Sequence, residues 1–256
     1  MSHAVAAVLA SALAAAMVLV QPWAGRRRYR RLLDRVTTEP DARLRHYLRG
    51  IGGEWVASAI IVLVGVAAGR SAASIGLAAG THPGANTALI AEVAVVLAIS
   101  AVVFRFGGAG VRAALRRQAR GFAALLPHDR RERWAFAGLA VTAGICEEFV
   151  FRGFGVAYLR WLWPAAPRPA MIVIVGAAFG LAHLYQGGRG IVLTGLVGGY
   201  LTWLVLATGS LVPAMIIHAL LDLRVLALPD LDEPAGAAVG PPSDASQRML
   251  VQPPDL

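Results

Sequence analysis

Six side chains of the kinds that hydrolytic enzymes use lie within segments that are otherwise apolar. Two adjacent carboxylates and a guanidinium come from one segment, an imidazole from a second, and an imidazole with a carboxylate from a third: Glu147, Glu148, Arg152, His183, His218 and Asp222. A charged side chain at the centre of a bilayer costs at least about 2.5–3.5 kcal/mol on insertion scales, so such residues usually serve a function. These six residues are therefore the candidate catalytic residues.

Helical geometry gives the two glutamates different directions. Consecutive residues of a helix diverge by about 100°, whereas residues four apart lie on one face. Glu148 can thus pair with Arg152, which leaves Glu147 to face the bundle as the reactive carboxylate; the reverse assignment of the two glutamates also fits. A carboxylate held in this way can act as a general base that activates water. His218 and Asp222 also share a face, the spacing of paired metal ligands or of two groups that stabilise an oxyanion.

Each of these groups also has a purely structural explanation. A histidine in a membrane helix can form an interhelical hydrogen bond, and a Glu–Arg pair can hold helices together. Cys146 could serve as a nucleophile beside a histidine, but a small side chain in an Ala/Gly-rich helix usually fills space. Glu54 and Glu92 belong to no motif and are interpreted as interface or packing carboxylates. The combination of six such groups in three apolar segments favours catalysis over packing.

The composition is that of a membrane protein. Of the 256 residues, 57% are hydrophobic and 15% are charged, whereas soluble domains average about 45–50% and 25%. A single cysteine excludes an intrachain disulfide and a Cys-rich zinc site. All 24 basic residues are Arg, and most of the formal charge of +9 lies in two blocks, at residues 26–49 and 105–133, as expected of cytoplasmic segments. No nucleic-acid-binding motif accompanies these blocks, so we expect no nucleic-acid partner.

Seven apolar stretches predict an all-α, polytopic transmembrane helix bundle of about seven spans. Their approximate bounds are residues 1–20, 55–69, 87–104, 134–159, 170–185, 191–207 and 211–228. Residues 112–133 fit either an amphipathic helix on the membrane surface or a solvated basic loop. The chain thus divides into N-terminal spans with basic cytoplasmic loops (1–125), a catalytic helical core (126–228) and a tail (229–256) whose composition predicts disorder.

Three short motifs resemble, in order and spacing, those of the CPBP family, which comprises CAAX proteases and bacteriocin-processing or Abi-type membrane proteins. The motifs are Glu147-Glu148-x-x-x-Arg152, Phe179-x-x-x-His183 and His218-x-x-x-Asp222. The resemblance covers about residues 126–223 and implies an all-α intramembrane endopeptidase related to the type II CAAX prenyl endopeptidase. It further implies a role for each residue: Glu147 activates water, Glu148 and Arg152 support it, His183 assists, and His218 with Asp222 stabilises the tetrahedral oxyanion or binds a metal.

One position departs from the prenyl endopeptidases that the chain resembles, which have Asn in place of Asp222. An ionised carboxylate only accepts hydrogen bonds, so Asp222 cannot donate to an oxyanion as an amide would. Catalytic zinc sites combine His and carboxylate ligands with an open position for water. Glu147, His183, His218 and Asp222 are therefore also the candidate ligands of a divalent metal such as Zn. A metal-free mechanism in which a glutamate activates water competes closely with this hypothesis.

We therefore expect an integral, multi-pass protein of the plasma membrane that hydrolyses peptide bonds. Its partners would be the lipid bilayer and a peptide or membrane-protein substrate, for example a prenylated peptide or a leader peptide. The first alternative is a non-catalytic membrane adaptor or immunity-type protein. The second is a proton-coupled transporter that uses the same buried groups, although no inverted repeat or pair of broken helices supports transport.

The arginine distribution predicts a topology in which the N-terminus is external and both basic blocks and the C-terminal tail are cytoplasmic. Nine Arg lie in residues 26–49 and none in residues 71–86, and cytoplasmic loops carry the excess of basic residues. Cysteines introduced at Ser74 and Ser243 in a Cys146→Ala background should react with impermeant reagents from opposite sides of the membrane. Labelling of both positions from one side would contradict the seven-span topology.

Overall fold

The secondary structure of the residues that the structure describes consists of helices joined by short turns and irregular segments, without strands, which confirms the all-α class. The computed structural model of the protein describes residues 2–71 and 120–227 and separate positions between 87 and 106. The α-helices are α1 (His3–Ala15), α2 (Gln21–Arg35), α3 (Ala42–Ala67), α4 (Arg130–Glu148), α5 (Val156–Leu162), α6 (Arg168–Ala182), α7 (Gly187–Thr208) and α8 (Val212–Leu223). Turns of π-helix join α1 to α2 (Ala16–Val20) and α4 to α5 (Phe149–Gly155), and 3₁₀ turns cover Arg120–Leu125, Leu184–Gln186 and Arg224–Ala227.

Four of the described helical stretches are long and apolar enough to cross a membrane: His3–Arg35, Ala42–Ala67, Arg130–Leu162 and Leu184–Thr208. The predicted fifth and seventh spans correspond to α6 and α8, which have 15 and 12 residues. Helices of that size are about 22 and 18 Å long, shorter than the roughly 30 Å of a hydrocarbon core. The described residues therefore bear out a polytopic helical membrane protein but do not confirm the count of seven spans.

Several sequence predictions fall on residues outside those described. They concern most of the third span (87–104), nearly all of the loop at 71–86, Glu92 and the tail from residue 229. Of the predicted amphipathic helix at 112–133, residues 112–119 lie outside, and the described remainder is not one helix. The reason is a local cap: Asp129 Oδ1 accepts from Glu132 N at 2.7 Å and Glu132 Oε2 accepts from His128 N at 2.8 Å. This reciprocal arrangement starts a new helix at Arg130.

Most of the first basic block is helical, and its first part continues the first span. The five arginines among residues 26–31 lie in α2, which extends α1 well beyond the apolar residues 1–20. Helix α3 likewise begins at Ala42, ahead of the apolar stretch that starts at residue 55. Hydropathy marks where a helix contacts lipid, whereas the backbone hydrogen bonds of a helix continue into the polar region. The predicted span bounds were therefore too short at these ends.

Helices α3 and α4 pack side by side and run in the same direction. Tyr47 of α3 meets Phe136 of α4 edge-to-face, with ring centroids 5.7 Å apart. Further along both helices, Ile61 shares an apolar cluster with Phe149, directly after α4. Residue numbers increase in the same direction along the two helices. Both helices therefore enter the membrane from the same side, as expected of the second and fourth predicted spans.

Glycines bring the helices that carry the site close to one another. A Cβ atom on Gly144 of α4 would lie 2.8 Å from the backbone oxygen of Met215 on α8. A Cβ atom on Gly176 of α6 would lie 2.8 Å from the backbone nitrogen of Gly199 on α7. Small residues allow this approach of backbones, the usual basis of helix association in lipid. As a result, the end of α4 that carries the two glutamates lies directly against α8.

Candidate active site

A buried ion pair lies at the centre of the site. Arg152 Nη1 donates to Glu148 Oε1 at 2.8 Å, and both side chains are 0% exposed. This is the pair that the spacing of one helical turn predicts. The spacing allows either glutamate to face the open part of the site. In the structure Glu148 pairs with Arg152, and Glu147 faces the open part.

Arg152 is held by three further groups from other helices. Its Nη2 donates to the carbonyl oxygen of Gly198 at 2.9 Å, and its Nε donates to Thr202 Oγ1 at 3.4 Å, both on α7. Its guanidinium carbon lies 4.2 Å from the ring centroid of Phe179 on α6. A methyl group at Gly198 would come within 2.9 Å of Phe179 Cβ, so glycine is needed at that contact.

Both histidines are held through Nδ1 and direct Nε2 toward the site. His218 Nδ1 lies 2.7 Å from Glu148 Oε1, and His183 Nδ1 lies 2.9 Å from the carbonyl oxygen of Phe179. Because an ionised carboxylate and a carbonyl only accept hydrogen bonds, Nδ1 carries the hydrogen in each ring. The Nε2 atoms of His183 and His218 therefore both face Glu147.

Glu147 is the carboxylate without a fixed partner. Its Oε2 lies 4.0 Å from His183 Nε2 and 3.9 Å from His218 Nε2, too far for a direct hydrogen bond. This buried oxygen has no hydrogen-bond partner among the described residues. Two atoms about 4 Å apart can each lie roughly 2.8 Å from a shared water at an angle near 90°. The geometry thus suits a water, or a substrate oxygen, between Glu147 and the two imidazoles.

Asp222 lies on the open side of the site. Its Oδ2 is 3.7 Å from His218 Nε2, and its side chain is 43% exposed, against 19% for Glu147. The structure therefore brings all six sequence-predicted residues together. Five of them form the buried part of the site, and Asp222 lies at its exposed edge.

The three motifs do not account for every residue that shapes the site. Phe179 belongs to a motif, but the motif does not indicate its packing on Arg152, and Gly198 and Thr202 belong to no motif. Tyr185 has its ring centroid 5.8 Å from that of His183 and 5.3 Å from that of Tyr29 on α2. These contacts join helices that are distant in sequence, so no spacing along one helix could indicate them.

The residue types at the site suit zinc better than their spacing does. Tetrahedral zinc with bonds of about 2.0–2.1 Å to N and O places its ligand atoms roughly 3.3–3.4 Å apart. The separations between the N and O atoms here are 3.7, 3.9 and 4.0 Å. Among the described residues, no three or more His, Cys, Asp or Glu side chains form a group that could hold a metal ion. A metal held by Glu147, His183, His218 and Asp222 would therefore require these atoms to approach one another by roughly 0.3–0.7 Å.

An unpaired carboxylate that faces two imidazoles within apolar helices is an arrangement that a membrane-embedded hydrolase can use to activate water. Residues 130–224 match the family model described as type II CAAX prenyl endopeptidase Rce1-like. This match over residues 130–224 confirms the resemblance drawn from the three motifs, and at the level of the family it supports a CAAX-type intramembrane protease. No curated protein and no solved structure matches the chain.

Loss of Arg152 should destabilise the fold. Arg152→Ala leaves Glu148 buried without its counterion, and breaking a buried pair in this way typically costs about 3–5 kcal/mol. Arg152→Lys keeps the charge but loses the planar donor fork, so its effect should be intermediate. Thermal unfolding in detergent should show both losses, whereas Arg160→Ala, at an exposed position, should change little. Equal stability of Arg152→Ala and this control would contradict the anchoring role.

Proposed function

We propose that the protein is an intramembrane endopeptidase that hydrolyses peptide bonds with a water molecule activated by Glu147. The substrate class that the family supports is a membrane-associated peptide, either prenylated or carrying a leader sequence. The observation that carries this proposal is the position of Glu147 Oε2, which has no hydrogen-bond partner among the described residues and lies 4.0 and 3.9 Å from two imidazole Nε2 atoms.

The reaction would proceed in two proton transfers through Glu147. In the first, Glu147 takes a proton from water while the water oxygen attacks the carbonyl carbon of the scissile peptide bond. In the second, Glu147 gives that proton to the leaving nitrogen as the carbon–nitrogen bond breaks. A carboxylate can serve as base and then as acid in this way, and such proton transfer typically contributes about 10²–10⁴-fold.

The histidines would orient the water and stabilise the tetrahedral intermediate. With Nδ1 of His218 bonded to Glu148, an imidazolium at this position donates from Nε2 to the oxygen on which charge develops. His183, bonded through Nδ1 to Phe179 O, directs its Nε2 to the same point. Glu148 and Arg152 would act by positioning His218, since neither has a free face toward the water.

A metal-dependent mechanism is a second proposal for the same reaction. Its ligands would be Glu147, His183, His218 and Asp222. The observation in its favour is the bond from His218 Nδ1 to Glu148, because histidines that bind metal usually donate their other ring nitrogen to a carboxylate or carbonyl. A bound divalent ion would polarise the substrate carbonyl and lower the pKa of bound water. The wide spacing of the four side chains argues for the metal-free mechanism.

Glu147→Gln should abolish peptidase activity and leave the protein folded. The amide has the shape of the carboxylate but cannot accept the proton, so the expected loss in kcat is about 10²–10⁴-fold. The protein would be purified in detergent and assayed with quenched fluorescent peptides, one set ending in a prenylated CAAX sequence and one carrying a leader sequence.

The matched control is Glu39→Gln, the same change at a half-exposed position of the 36–41 segment, where Glu39 pairs with Arg35 and Arg45 outside the site; it should keep wild-type turnover. Wild-type turnover by Glu147→Gln would refute the catalytic assignment. Absence of cleavage by the wild type with every peptide would favour the non-catalytic adaptor.

Asp222→Asn separates the two mechanisms. If a metal is held in part by Asp222, the neutral amide is a poorer ligand, so metal content and activity should fall together and chelators should inactivate the wild type. If no metal is used, Asn can donate a hydrogen bond to the oxyanion, a contribution of roughly 2.7–4 kcal/mol, and activity should be kept or raised. Elemental analysis of the purified protein accompanies both assays. Full activity in a metal-free preparation would rule out the metal-dependent proposal.

A further inference from the structure

A seventh ionisable group faces the site from outside the segment that matches the family. Glu54 lies on α3, whereas the match begins at residue 130. The parallel packing of α3 on α4 directs this face of α3 toward the glutamates. One turn after Glu54, buried Ser58 lies against the thiol of Cys146, the residue that precedes Glu147.

Glu54 lies on the face of α3 that contacts α4. A Cβ atom on Gly50, one turn earlier, would lie 3.1 Å from Leu139 of α4, and Ile61, further along, clusters with Phe149 directly after α4. The charged groups that act on Glu54 include Glu147, His218 and Asp222. Its Oε2 is buried and has no hydrogen-bond partner among the described residues, as is also true of Glu147 Oε2, Glu148 Oε2, Ser58 Oγ and Gln21 Oε1. Glu54 therefore stands on the α3 side of Glu147, while the two histidines approach Glu147 from α6 and α8.

Packing alone does not explain a carboxylate at this position. Nearly all buried polar atoms in proteins have a hydrogen-bond partner, and leaving one without a partner costs free energy. Two neighbouring carboxylates also repel each other. A hydrogen-bond donor that binds between them satisfies both acceptors, and water is the donor that the proposed reaction consumes.

We propose that Glu54 is a positioning residue that holds the attacking water against Glu147 from the side of α3. This inference rests on the proposed peptidase function. Water bound in this way has one hydrogen directed to Glu147, which removes it, and the other directed to Glu54, which leaves a lone pair of the oxygen toward the scissile carbonyl. Orientation of this kind affects the chemical step more than substrate binding.

The test compares Glu54→Gln and Glu54→Asp with wild type, Glu147→Gln and the control Glu39→Gln. All are assayed in detergent with a quenched peptide ending in a prenylated CAAX sequence. Glu54→Gln should lower kcat about 10- to 100-fold with KM nearly unchanged, as expected when an oriented reactant is lost. Glu54→Asp keeps a carboxylate and should retain more activity than Glu54→Gln. Thermal stability of Glu54→Gln should equal or exceed that of wild type, because the amide replaces a buried carboxyl group without a partner and can donate a hydrogen bond to Glu147.

The outcomes separate this inference from the proposed function. If the wild type cleaves the peptide and Glu147→Gln does not, but Glu54→Gln keeps full kcat, the positioning role is overturned and the peptidase function stands. A loss confined to KM, or one that follows a lower thermal stability, also overturns it. If the wild type cleaves no peptide, the proposed function fails and this inference fails with it.

Discussion

The rest of the site depends on the buried ion pair between Glu148 and Arg152. Two charges removed from water are costly unless they pair with each other and with further hydrogen-bonding groups. Glu148 Oε2 has no partner among the described residues, but the other groups of the pair are bound by side chains and backbone from other helices, which brings four parts of the chain to one place. Arg152 reaches Gly198 O and Thr202 on α7 and packs on Phe179 of α6, while Glu148 accepts from His218 on α8. This pair thus holds together the helices that carry the candidate catalytic residues.

The same constraint separates two adjacent residues of one type. Glu148 is wholly buried and bound to Arg152 and His218. Glu147, the preceding residue, projects from a different face of the helix, toward the Nε2 atoms of the two histidines. A general base needs a free lone pair near the proton that it accepts. Because consecutive positions on a helix face different directions, two adjacent glutamates suffice to provide one fixed and one free carboxylate.

The sequence predicted the relations that lie within one helix and missed those that lie between helices. The pairing of Glu148 with Arg152 follows from a spacing of four residues, and the three motifs indicated all six residues at the site. The contacts of Gly198, Thr202 and Glu54 depend on how α3 and α7 rotate against α4, which no periodicity along a single segment determines. The span bounds were inexact for a related reason. Apolar stretches record contact with lipid, and α2 and α3 continue as helices through arginine-rich residues.

The neighbouring, mutually tilted rings of Tyr29, Tyr185 and His183 connect helix α2 to the site. Tyr29 belongs to α2, so the wall behind one imidazole is built by a part of the chain that the family match does not include. Residues 130–224 therefore hold the six candidate catalytic residues without supplying all of their surroundings. Tyr185 lies between Tyr29 and His183, so a change at Tyr29 can reach this imidazole only through a second ring, and the surroundings of the site extend one side chain beyond the matched segment.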